Sequence, residues 1–196
     1  TAAADKSVSW FNRDTNSGAA TFSGILQMDT DGIDGLNGAY GLTISKDGRH
    51  VYVTGNQDDS LSWFDRNAST GALAYGGTFK GSEMNGARNV ILSDDQAYVY
   101  ATGYVDDSVS WFDRNTGNGS LTLKGTLKDG ENGVDGLDGA REISISSSQK
   151  HLYIVSIEDD SISWFDRNTS TGGLTYVGAL KEGVDGVTGL DGAKNV

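Results

Sequence analysis

The chain has 196 residues, a formal charge of −12, 28 glycines, and neither proline nor cysteine. Without cysteine there is no disulfide framework, no thiol nucleophile and no cysteine-held zinc. Charge this negative disfavours phosphate backbones and anionic bilayers, and no apolar run nears the roughly 20 residues of a membrane span, so neither nucleic acid nor membrane insertion is expected.

The first residues, "TAAADKS", lack the basic and apolar regions of a signal peptide and are compatible with a mature N-terminus. The next segment, "DKSVSWFNRD" (5–14), returns as "DDSLSWFDRN" (58–67), "DDSVSWFDRN" (106–115) and "DDSISWFDRN" (159–168). Between these copies other short runs recur in a fixed order. "GLTIS" (41–45), "NVILS" (89–93) and "EISIS" (142–146) each precede a polar turn. "HVYVTG" (50–55), "AYVYATG" (97–103) and "HLYIVS" (151–156) follow that turn. After the tryptophan segment come "GALAYGGTFK" (71–80), "GSLTLKGTLK" (119–128) and "GGLTYVGALK" (172–181).

These runs are rich in Val, Ile, Tyr, Thr and Trp, are bounded by Gly, Asn or Asp, and have no helical period. Four such strands per repeat of about 50 residues predict an all-β chain, a β-propeller of four-stranded antiparallel blades. The reading divides one propeller domain or segment, 1–196, into a partial blade at 5–28 and complete blades at 39–80, 87–128 and 140–181. Residues 182–196 lead into a further blade. Another chain or a missing segment is expected to complete the ring, because propellers close by pairing their edges. Trp10, Trp63, Trp111 and Trp164 are expected to be structural, packed between blades.

The stretch "ISKDGRHVYVTGNQDDSLSWFDRNASTGAL" (44–73) resembles the YVTN-type, lactonase-like β-propeller repeat, and the resemblance covers essentially the whole chain. It departs in "SKDG", which lacks the usual proline, in "SDDQ" and "SSSQK" at the later turns, and in "YVTG". The resemblance implies the propeller fold. As an activity it implies a hydrolase acting at the channel mouth, where basic residues bind an acidic lactone. Arg88, Arg141 and Lys194 stand at equivalent "GAR/GAK" positions, with Tyr40 in the first copy. Their charges suit a carboxylate. The expectation from the residues themselves is that each pairs with a nearby aspartate.

Acids gather in two sets of loops that a propeller places on one rim. One set holds Asp58, Asp59, Asp106, Asp107, Asp159 and Asp160, read as candidate ligand-binding residues. The other holds Asp31, Asp34, Asp135, Asp138, Asp185 and Asp191, read as candidate metal ligands for Ca²⁺ on account of their hard oxygens and Gly-rich setting. No segment has the EF-hand spacing, and Asp and Gly also serve turns without any ion. The loop "GSEMNGA" (81–87) is five residues shorter than its counterparts. His50 and His151 lie on the opposite face, and no G-x-S-x-G elbow exists, so nucleophilic catalysis is not expected. Sequons at Asn67, Asn118 and Asn168 fall in outer turns.

A near-identical repeat with no unique catalytic position leads to the expectation of a non-enzymatic, extracytoplasmic binding or structural module with a protein or glycan partner. A lactonase-like hydrolase and a carbohydrate-binding propeller are the alternatives.

Overall fold

A computed structural model describes residues 1–196. The first blade contributes β1 (Ser7–Arg13) and β2 (Ala20–Gln27). The second contains β3 (Ala39–Ile44), β4 (His50–Gly55), β5 (Ser60–Arg66) and β6 (Leu73–Lys80). The third has β7 (Ala87–Leu92), β8 (Tyr98–Gly103), β9 (Ser108–Arg114) and β10 (Leu121–Lys128). The fourth has β11 (Ala140–Ile145), β12 (His151–Ser156), β13 (Ser161–Arg167) and β14 (Leu174–Lys181).

Each complete blade is one antiparallel sheet whose strands follow chain order, and β1–β2 form a two-stranded sheet. The inner strands β3, β7 and β11 lie side by side around the axis. The molecule is therefore a partial β-propeller of three blades plus a two-stranded piece.

The repeat is visible down to single bonds. The hydroxyls of Thr54 and Thr102, on second strands, donate to the carbonyls of Arg88 and Arg141 at 2.9 Å each. Thr1 donates to the Tyr40 carbonyl at 2.9 Å, so the first residue sits at the register of a second strand rather than ahead of a third.

The apolar core lies between blades. At the seam of the second and third blades, Tyr52 and Leu61 pack on Met84, Ala87, Val90, Val99, Ala101 and Phe112. At the next seam, Tyr100 and Val109 meet the equivalent residues around Phe165, with Val134 and Leu137 from the connecting loop. Met84, carried on a short 3₁₀ turn (Ser82–Met84), supplies in the shortened loop what Leu137 supplies in the long one. Apolar side chains leave water at each seam, so each blade is stabilised by its neighbours. Phe64, Phe112 and Phe165 are 0% exposed, whereas the matching Phe11, in the two-stranded piece, is 58% exposed.

Each tryptophan of the repeat lies across a glycine on the outermost strand of its own blade. A Cβ on Gly77 would stand 2.4 Å from the Trp63 ring, and the strand register slips by one residue there. Trp63 and Trp111 also lean on the seam cores.

Candidate functional site at the channel mouth

The innermost strand of every complete blade begins with an irregularity. Its register skips between Ala39 and Leu42, between Ala87 and Val90, and between Ala140 and Glu142. Such bulges leave a residue out of the ladder and re-aim its side chain. The residues at these breaks include Tyr40, Arg88 and Arg141, one from each of three adjacent blades.

The two arginines meet at a single oxygen. Arg88 donates to the Tyr40 hydroxyl at 3.4 Å and Arg141 donates to it at 3.2 Å. The Arg88 guanidinium also lies against two aromatic rings, 4.4 Å from the Tyr40 centroid and 4.9 Å from that of Tyr104. Its Nε is buried and bonds nothing. Tyr104, on the loop between β8 and β9, donates its hydroxyl to Glu158 at 2.5 Å. That bond to Glu158, with burial second, raises the Tyr104 pKa. Beside Arg141, burial pushes the Glu142 carboxyl above its usual range, against the pull of Asn89 and Arg141. The mouth thus combines two cations, two phenols and two carboxylates.

The expected pairing of these arginines with rim aspartates is corrected by the structure. The rim acids are already taken by lysines at the ends of the outermost strands. Lys80 lies 2.8 Å from Asp34, Lys128 3.4 Å from Asp106, and Lys181 2.7 Å from Asp135 and 2.8 Å from Asp159. The Lys80 bond holds the Asp34 carboxyl below its ordinary range. Burial works against the charge on Lys181, yet its bonds to Asp135 and Asp159 raise its pKa. Lys194 is exposed and outside any strand.

The paired aspartates of the repeat are bound to backbone. Asp58, Asp106 and Asp159 accept from the N–H groups of Asn37, Asn85 and Asp138 in the loop entering their own blade. Asp59, Asp107 and Asp160 have positive φ and reach forward to the N–H groups of Gly86, Gly139 and Gly192, leading into the next blade. The first copy has Lys6 in place of the second acid.

The six candidate metal ligands are not brought together. Asp31 and Asp185 are exposed turn residues with positive φ, and Asp191 is exposed. Asp135 instead joins Asp129 and Asp159, with one oxygen from each within 4.8 Å of the others. The Lys181 ammonium bonds two of those three. Asp138 is raised by burial first and then by Asp107 and Asp159.

The opposite face uses arginine differently. Arg114 (6% exposed) bonds the Tyr52 hydroxyl at 2.6 Å, His50 Nδ1 at 2.7 Å and the Gln96 carbonyl at 2.9 Å. The Tyr52 hydroxyl donates in turn to the Gly119 carbonyl. One blade on, Arg167 bonds Tyr100 and the Gln149 carbonyl, and Tyr100 donates to Gly172. Burial pushes the Tyr100 hydroxyl up to about 12 despite Arg167. These are joints between blades, and His50 belongs to one of them.

Sequence reasoning found Arg88 and Arg141 but not their setting. It noted Tyr40 only as the copy without a base, and did not single out Tyr104, Asn89 or Glu142. The available signal was the break in the repeat, since the position of Tyr104 is Asn56 in one blade and Ile157 in the other.

The model of a family described as lactonase, seven-bladed β-propeller matches residues 4–135 and 77–185. A search of the curated proteins finds no match. Among solved structures, a candidate 6-phosphogluconolactonase from Bacteroides uniformis superposes with a TM-score of 0.79 at 20% identity, over 92% of this chain and 50% of its own. A candidate 6-phosphogluconolactonase from Bacteroides fragilis gives 0.75 at 23% identity, over 90% and 49%. The periplasmic gluconolactonase of Pseudomonas aeruginosa gives 0.72 at 17%, over 89% and 50%. This chain spans about half the length of each. No helix is long and apolar enough to cross a membrane.

These findings overturn the expectation of a non-enzymatic module. The repeat is in fact broken where the inner strands open onto the axis, and the matching family is one of lactonases. The chain belongs to the lactonase, seven-bladed β-propeller family.

Proposed function

We propose that the chain is part of a lactone hydrolase that works at the channel mouth on lactones bearing an acidic group. The observation that carries this reading is the convergence of Arg88 and Arg141, from neighbouring blades, on the Tyr40 hydroxyl. Two cations with no carboxylate partner offer a site for a carboxylate or phosphate, and planar guanidinium forks suit either. They also offer charge stabilisation to the oxyanion that forms when water adds to a lactone carbonyl. Ring opening then breaks the carbonyl carbon–ring oxygen bond, and the ring oxygen takes up a proton.

The names of the similar proteins, 6-phosphogluconolactonase and gluconolactonase, imply substrates of this kind for those proteins. A periplasmic relative is in keeping with an extracytoplasmic setting.

The test is hydrolysis of glucono-δ-lactone and its 6-phosphate, measured against spontaneous ring opening. The expected outcome is faster hydrolysis of the phosphorylated lactone, with Arg141→Ala lowering kcat/KM by about 100-fold, as for loss of a charge-stabilising donor. Equal rates with and without protein would sink the proposal.

A further inference from the structure

Arg88 is held in an unusual way. Arg114 and Arg167 also lie against tyrosine rings, at 5.4–5.7 Å, but both are fixed along their N–H edges as well. Arg88 is held chiefly by ring contacts, and closer ones, its guanidinium carbon lying 4.4 Å from the ring centre of Tyr40 on the neighbouring blade and 4.9 Å from that of Tyr104 on its own. A guanidinium between two aromatic rings keeps its attraction to both while its in-plane donors stay free. Its one bond is the long 3.4 Å contact to the Tyr40 hydroxyl. Tyr104 is itself anchored, because its hydroxyl is tied to Glu158 on the following blade. The chain Glu158–Tyr104–Arg88–Tyr40–Arg141 thus passes through three blades and brings two guanidinium groups to one hydroxyl.

We propose that Tyr104 is a positioning residue that clamps Arg88 with its N–H edge toward the mouth and so sets the affinity of the site for an anionic group. The inference rests on the lactonase reading for its link to turnover, but anion binding itself is measured separately. The ring face of Tyr104 does the holding. Glu158 fixes the ring, and its carboxylate opposes any anion bound beside it.

The role of the ring face distinguishes this proposal from simple space filling. Tyr104→Phe keeps the face and loses only the anchor, whereas Tyr104→Leu fills the space without an aromatic quadrupole. The measurement is calorimetric titration of the full chain with inorganic phosphate and 6-phosphogluconate, beside KM and kcat for the 6-phospholactone. Melting curves confirm that each variant folds.

Tyr104→Leu is expected to weaken anion binding and raise KM roughly five- to tenfold, the scale of one partly desolvated cation–π contact, with kcat little changed. Tyr104→Phe is expected to stay within about twofold of the parent. Glu158→Gln is expected to bind phosphate more tightly, since an opposing charge is gone and an acceptor for Tyr104 remains. Equal affinities for the Leu and Phe variants, or a Leu variant that matches the parent, would overturn the clamp. If Arg88→Ala also bound phosphate as the parent does, the lactonase reading would fall with it. A lost effect at Tyr104 with a retained effect at Arg88 sinks the clamp alone.

Discussion

The two faces of this propeller use the same side chain for opposite ends. On the outer-turn face, Arg114 and Arg167 are buried and bond a tyrosine hydroxyl of the neighbouring blade, Tyr52 or Tyr100, together with a backbone carbonyl of their own blade, Gln96 or Gln149. At the mouth, Arg88 and Arg141 are only half-buried, meet no carboxylate, and share one phenol. A guanidinium bonded across a seam holds protein parts together, and one that meets few protein acceptors is left for a ligand. The repeat reflects this division, being nearly unbroken at the joints and altered at the mouth.

The largest expected effect breaks the joint side of the contrast. Arg167→Ala would leave the buried Tyr100 hydroxyl and the Gln149 carbonyl without their donor and open a gap at the seam. The expected loss is about 3 kcal/mol of stability, read as a fall of roughly 6–12 °C in Tm. Arg141→Ala, by contrast, is expected to change Tm by no more than about 2 °C while removing lactone hydrolysis. Similar melting points for the two variants would abolish the distinction.

A smaller effect concerns the rim. Lys181→Met would leave Asp129, Asp135 and Asp159 repelling one another within 4.8 Å. A loss of about 1 kcal/mol is expected, and millimolar Ca²⁺ is expected to restore part of it, since the ion would replace the ammonium. Calorimetry with and without Ca²⁺ decides this, and a Tm indifferent to the ion would remove calcium from consideration at that cluster.

The smallest effect sharpens the joint by pH. Burial first, and Arg114 second, hold His50 below its ordinary value, while Asp65 and Asp47 pull the other way. The folded chain therefore binds fewer protons at His50 than the unfolded chain does. Its contribution is complete above about pH 6.5 and declines as pH falls below that, because stability rises with pH where the unfolded state is the more protonated. His50→Gln is expected to shallow this acid limb in a series of melts between pH 7.5 and 5. An unchanged slope would show that His50 is not the group responsible.

The propeller was legible because strand patterning survives substitution. Alternating Val, Ile, Tyr and Thr between Gly and Asn turns specify a blade whether the turn reads "SKDG" or "SSSQK". The arginines were legible as equivalent positions in the family-like repeat, but their chemistry was not. Sequence placed them among acids, and only geometry reveals that Lys80, Lys128 and Lys181 reach those acids first. Nor does a sequence tell where a bulge turns a side chain out of its ladder. The sequence does not connect Tyr104 to its partners, because Arg88 and Glu158 lie 16 and 54 positions away. The absence of a unique catalytic position misled the functional reading, because the unique feature is an assembly of three blades rather than one motif.

The forward reach of Asp59, Asp107 and Asp160 has a consequence for how such a chain arises. Every complete unit carries an outgoing carboxylate, and the third and fourth blades receive at their own entry the one sent by the unit before, whereas the second follows a copy with Lys6 in that place. A tandem duplication therefore copies both halves of the connector together. An extra unit inserted between two others finds its connection ready on each side, and the units already present lose none of theirs. Lengthening by duplication needs no new complementary surface, which leaves later mutations free to accumulate at the mouth, where Tyr40 already differs from Arg88 and Arg141.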